Sequence, residues 1–219
     1  MDNLEKFLPS VPKIEDQHLK KLIEIIGINT QPIYVDIKPD RNAIINECFP
    51  NVSEKIKKEG GTRITGWQFW KTNNLIEAEF HAIWKSDSDN LLDVTPKQIP
   101  FKKILFIEDS ERVYDGSQID NVRVNISGNT LTDDLIYVCE SLFKIENKGF
   151  RKFEYDLSKL KLSNKEAIIW KLLQEIKNGL NLMLCKGLTK HQICFCGKDK
   201  YKKCHGKLLP EIKAALSAD

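Results

Sequence analysis

The sequence predicts an α+β protein, and three observations predict it. Strand-sized segments at 64–70, 75–84, 91–94, 104–107 and 122–126 alternate or cluster their apolar residues. Helical spacing with start and stop signals marks 16–26, 132–143 and 163–183. The composition, 41% hydrophobic and 30% charged over 219 residues, is that of an ordinary globular chain.

That length suffices for one generous domain, or a domain with a small appendix. No run of eighteen apolar residues occurs, which argues against a membrane-spanning helix. Residues 1–15 mix charges with Leu and Pro and lack an apolar h-region, so a secretory signal is not expected and the expected address is cytoplasmic. A net charge of +3 is too small to imply nucleic-acid binding by itself. Of six cysteines, Cys48, Cys139 and Cys185 stand alone, while Cys194, Cys196 and Cys204 crowd beside His205. That distribution suits a reducing compartment, a metal site and one reactive or buried thiol better than a disulfide framework.

In chain order, 16–26 reads as a helix with Leu19, Leu22, Ile23 and Ile26 on one face and Gly27 as its stop. Residues 32–37 form a short strand, after which Asp40 is placed to cap a helical turn through Ile45. The next helix covers 48–56 and ends at Gly60 and Gly61. Pro50 is tolerated only in its first turn, which puts Cys48 at the N-terminus. One longer helix from Asn42, kinked at Pro50, is the alternative. Segments 64–70 and 75–84 pair as a hairpin across 71–74. Thr132 caps a helix whose apolar stripe includes Leu135, Cys139 and Leu142, with Cys139 as a packed small hydrophobe. Residues 150–161 are a charged connector; Ser163 and Glu166 then form a capping box that opens the longest helix, which Gly187 ends. A short helix covers 208–215. The expected organisation is an α+β domain at 1–148, a helical extension at 149–190 and a metal-binding module with a terminal helix at 191–219.

Two constellations carry chemistry. In 75–84 the residues Ile76, Ala78, Phe80, Ala82 and Trp84 share one face of a strand, and Glu77, Glu79 and His81 the other. Asp93 lies on the following short strand, and Cys48 at the upstream helix start. A helix N-terminus and a nearby imidazole both favour a thiolate. A carboxylate on the adjacent strand can hold the imidazole in the required tautomer. The plain alternative is a surface histidine and a core cysteine. Glu79 can tune His81 or simply face water, Trp67 and Trp70 read as aromatic core, and a cation shared by Glu77, Glu79 and His81 is a further use of the face.

The strings His81-Ala82-Ile83-Trp84 and Leu91-Leu92-Asp93-Val94-Thr95-Pro96 resemble the His and Asp strands of the transglutaminase-like branch of papain-like proteins. In that family the nucleophilic Cys begins a helix upstream, which matches Cys48. The resemblance covers roughly residues 42–96. It implies a papain-like/transglutaminase-like antiparallel sheet with helices, and catalytic roles for Cys48, His81 and Asp93. The implied activity is thiol-dependent amide hydrolysis or acyl transfer, of protease, deamidase, amidase or transglutaminase type, on a protein substrate. Gln31, Asn42 and Asn46 are upstream amides available as oxyanion donors. Because non-catalytic relatives share the order, a binding or adaptor protein is the rival reading.

The second constellation is Cys194, Cys196, Cys204 and His205, two close pairs joined by a basic turn containing Gly197. These are four soft ligands of the kind that tetrahedral zinc prefers. Between 186 and 207 seven lysines face a single acid, Asp199. The run is similar to the SEC-C motif, the zinc knuckle of the SecA translocation ATPase and of many other bacterial proteins. Its connector is one residue shorter than usual, with Lys198-Asp199 in place of a Ser-Gly element. The resemblance implies a structural zinc and a small module that docks a protein partner. The lysine excess extends that expectation to ribosomal or other nucleic-acid contact, with no membrane partner.

Overall fold

The computed structural model describes residues 8–217, so part of the N-terminal stretch read for a signal lies outside the described residues. The described chain forms two compact units, the first comprising 8–72, 76–115 and 121–124, the second 73–75, 116–120 and 125–217.

The first unit carries α1 (Gln17–Ile26), β1 (Ile33–Ile37), α2 (Cys48–Glu59), β2 (Thr62–Lys71), β3 (Leu75–Lys85), β4 (Leu91–Asp93), β5 (Lys103–Glu108) and β6 (Val122–Asn125). Asp16 caps α1 by accepting from the His18 N–H at 2.9 Å, and Gly27 ends it at φ +84°. Asp40 caps no helix. Residues 41–46 form turns, and the Asp40 carboxylate pairs with Lys55 at 3.0 Å. The long helix from Asn42 does not form either. Asn46 takes φ +66°, and the Asn51 amide closes the turn by bonding both the N–H and the C=O of Ile44. Helix α2 therefore starts at Cys48, with Pro50 in its first turn.

Strands β2 and β3 pair antiparallel along their whole length, from Thr62 opposite Lys85 to Lys71 opposite Ile76. The order β2-β5-β1-β4-β3, with β2 also paired to β3, closes into a five-stranded barrel, and β6 adjoins β3. An all-antiparallel sheet was expected, but β1 and β4 run parallel, so the barrel is mixed. Such a pairing joins strands far apart in sequence, and local alternation carries no trace of it. Closure covers both faces of β3. Ala82 and Trp84 pack with Cys48, Val52 and Val94, while Ile83 packs with Val35, Ile104 and Phe106.

The second unit holds α3 (Thr130–Glu146), α4 (Asn164–Cys185) and α5 (Leu209–Ser217), with two 3-10 turns at Gly149–Phe153 and Leu157–Lys159 in the connector. Asn129, not Thr132, caps α3: its Oδ1 accepts from the Leu131 N–H at 3.1 Å, and Thr132 is buried within the first turn. The Ser163–Glu166 capping box forms as the sequence predicts, with reciprocal bonds of 3.3 and 2.8 Å. Leu135, Val138 and Leu142 of α3 share one core with Leu173, Ile176 and Leu180 of α4, and Cys139 packs at its margin. A division after residue 148 would place α3 with the sheet; its apolar face is instead satisfied by α4, so the compact units divide near residue 124. Among the described residues no helix is long and apolar enough to cross a membrane.

Candidate functional site

Register brings His81 and Asp93 together. β4 pairs with β3 only at Trp84–Leu92 and Lys85–Leu91. Continued by one pair, this register puts Asp93 opposite Ile83, on the face of β3 that carries His81 and diagonal to it. His81 Nε2 lies 3.1 Å from Asp93 Oδ1, with both side chains almost fully buried. The same oxygen accepts from the Thr95 N–H at 2.9 Å, and the other carboxylate oxygen meets Lys97 Nζ at 2.7 Å. Asn51 of α2 reaches Thr95 Oγ1 at 3.4 Å, which links the Cys48 helix to the Asp93 loop.

Cys48 and His81 line one cavity of about 220 Å³, together with Gln68, Trp70, Glu79 and Lys97. With Nε2 engaged by Asp93, Nδ1 is the imidazole nitrogen left for the thiol. Lys97 Nζ also lies 3.4 Å from Nε2. An ammonium can only donate, so beside an Nε2–H held by Asp93 this contact is a meeting of like charges rather than a hydrogen bond. Burial and Lys97 oppose the imidazolium, but Asp93 and the charge of Cys48 outweigh them and raise the His81 pKa to about 9. Burial likewise works against the Asp93 carboxylate, yet His81 and Lys97 hold its pKa down at about 2.

The remaining residues of the His81 face are committed. Glu79 Oε2 accepts from Trp70 Nε1 at 3.0 Å, and Glu77 Oε2 accepts from Arg123 at 3.1 Å and from Asn121 at 3.2 Å. They do not gather with His81 as a metal site; among the described residues the one such cluster is at the C-terminus. Trp67 is core, as its sequence context predicts, and its Nε1 donates to Asp109 at 3.0 Å. Trp70 instead forms a wall of the cavity. Of the upstream amides, Asn46 lines the cavity, while Gln31 and Asn42 do not.

Cys194, Cys196, Cys204 and His205 converge, with their ligand atoms all within 4.8 Å of one another. Cys194 Sγ is 3.2 Å from His205 Nδ1, Cys196 Sγ is 3.4 Å from Cys204 Sγ, and Cys204 Sγ is 3.5 Å from His205 Nδ1. Tetrahedral zinc with thiolate bonds near 2.3 Å needs ligand separations of about 3.8 Å, so the cluster could hold a metal ion such as zinc. The turn is built by Gly197 at φ +78°, whose N–H donates to Cys194 O at 2.8 Å, and by the Cys194 N–H donating to Asp199 O at 2.7 Å. Lys198-Asp199 thus closes the shortened connector. His205 stacks on Phe195 at 4.4 Å, and its Nε2 faces Glu175 of α4 at 3.5 Å, the kind of outer carboxylate that fixes a ligand imidazole.

No protein-family model, curated protein or solved structure matches this chain.

Two residues at the cavity are not evident from sequence. Gln68 stands between Trp67 and Phe69 in a buried strand, and a polar residue at such a position was the available signal. Lys97 had none: it follows Pro96 in a loop, and only the fold carries its ammonium to Asp93, His81 and Gln68.

Proposed function

We propose that the chain is a thiol-dependent amide hydrolase or acyltransferase, with Cys48 as nucleophile, His81 as base and acid, and Asp93 as the group that orients His81. The observation that carries this reading is a buried His81 whose Nε2 is fixed by Asp93 at 3.1 Å and whose ring shares a cavity with Cys48 at the start of α2. The transglutaminase-like order of Cys, His and Asp supports it.

In the reaction, the thiol proton already rests on His81, and Cys48 Sγ attacks the carbonyl carbon as the thiolate. The C=O electron pair moves onto oxygen as the S–C bond forms. Collapse of this oxyanion restores C=O and breaks the C–N bond, and His81 gives its proton to the departing amine. Water or a second amine then attacks the thioester, with His81 taking its proton and returning it to the thiolate. Protease, deamidase, amidase and transglutaminase differ only in acyl donor and acceptor.

The test is peptide-level alkylation by iodoacetamide at mildly acidic pH. Cys48 reacts faster than Cys139 or Cys185, and His81→Ala abolishes the difference; equal rates in the wild type would end the proposal.

A second reading rests on the C-terminal cluster: Cys194, Cys196, Cys204 and His205 hold a structural zinc, and the lysine-rich SEC-C-like module docks a protein partner or a nucleic acid. Zinc bound by all four side chains would fix the turn and leave no open position for substrate. If chelation abolishes capture of a partner while Cys48 alkylation persists, the module has its own role.

A further inference from the structure

We infer that Gln68 donates the hydrogen bond that stabilises the oxyanion in this cavity, and that Lys97 is the positioning residue that turns the Gln68 amide toward it. The inference rests on the thiol-acyl chemistry proposed for Cys48 and His81.

Gln68 lies on β2 opposite Glu79 of β3, two pairs away from the Gly66–His81 pair. Alternation puts its side chain on the barrel face shared with His81. It is 2% exposed and lines the cavity with Cys48 and His81. A buried amide can present either end, and here chemistry decides which. Lys97 Nζ sits 2.9 Å from the near end of the amide, and an ammonium has donors only, so that end is the oxygen. The NH2 end is thereby turned away from Lys97, and it makes no hydrogen bond among the described residues. The cavity that Gln68 lines is open to this donor, and a negative oxygen formed at Cys48 is an acceptor it can meet there.

Lys97 is itself fixed, through its 2.7 Å pair with Asp93 Oδ2. One ammonium therefore holds both the carboxylate that orients His81 and the amide that faces the substrate carbonyl. This is the preorganisation that oxyanion stabilisation requires, since the donor does not have to rotate during the reaction. Asn46, the upstream amide at the same cavity, is exposed and lacks such a clamp.

Two probes of the full-length protein separate this inference from the reading beneath it. Acylation of Cys48 by p-nitrophenyl acetate passes through an oxyanion, whereas alkylation by iodoacetamide does not. Gln68→Leu lowers the ratio of the two rates by about 100-fold. Gln68→Glu, which keeps the side-chain volume and the Lys97 contact but loses the donor, lowers it as well and guards against a folding artefact. Lys97→Met gives a similar loss, Lys97→Arg restores most of the ratio, and Lys97→Met combined with Gln68→Leu is no worse than either alone. An unchanged ratio in both Gln68 variants, with Cys48 still reactive, overturns the inference and leaves the thiol reading standing. A wild-type Cys48 that reacts no faster than Cys139 with either probe overturns both.

Discussion

His81 is held charged by neighbours on three elements: Asp93 on β4, Cys48 on α2 and, in opposition, Lys97 in the loop after β4. Its folded pKa of about 9 stands above the ordinary 6.5, so its contribution to stability is complete below about 6.5 and is lost as pH rises through about 9. Asp93, at about 2 against an ordinary 3.8, contributes above about 3.8 and loses that contribution as pH falls through about 2. The pair therefore stabilises most between about pH 4 and 6.5. Urea denaturation of wild type and Asp93→Asn will differ most near pH 5, by on the order of 2 to 3 kcal/mol, and the difference will shrink as pH rises through about 9, leaving only what the Asp93–Lys97 pair contributes. A difference that does not vary with pH would deny the ion pair. Lys97→Met removes a charge that lowers the His81 pKa, so the upper pH limb of Cys48 alkylation moves to higher pH in that variant. The His and Asp were legible as residues because a strand pattern and a short turn placed them. Their burial was not, because it depends on strands that come from elsewhere in the chain.

Two close approaches decide how well the elements hold the sites. Gly66 of β2 packs so tightly that a Cβ there would lie 2.0 Å from Ile107 O and 2.8 Å from the Phe106 ring. A backbone carbonyl of a paired strand cannot yield, so Gly66→Ala destabilises the first unit by about 1–3 kcal/mol, read as a lower urea midpoint. In α4, a Cβ on Gly179 would meet the Phe195 ring at 2.1 Å, and that ring stacks on His205. Gly179→Ala therefore displaces the support of a metal ligand and lowers zinc affinity about tenfold or more, measured by chelator competition. Helix starts and stops were readable wherever a residue next to the helix end makes the cap, by its side chain at Asp16 and Ser163 and by its left-handed backbone at Gly27. They misled at Asp40 and Thr132, where another side chain was better placed. Lys55 claims the first, and Asn129 takes the capping role from the second.

At the scale of the molecule, the Cys194–Cys196–Cys204–His205 cluster is part of a core. Cys194 and Tyr201 pack with Leu209 and Ile212 against α3 and α4. Purified protein should carry about one zinc per chain, and removing it with a chelator should open Cys194, Cys196 and Cys204 to a thiol reagent and lower the melting temperature of the helical unit. The alkylation rate of Cys48 is expected to stay as it was. Metal-free protein with the same melting temperature would contradict a structural ion.

By itself the sequence determined the local features: the strand and helix periods, the Ser163 cap, the start of α2 at Cys48 and the cluster of three cysteines and a histidine around Gly197. Each is set by residues within a turn or a hairpin of one another. Tertiary structure alone decided the parallel β1–β4 pair, the closure of the barrel and the assignment of α3 to the helical core. It also turned the polar face of β3 inward and brought Gln68 and Lys97 to Cys48 and His81. These depend on pairings across tens of residues, where the free energy of closing the sheet and burying its faces overrides any local preference.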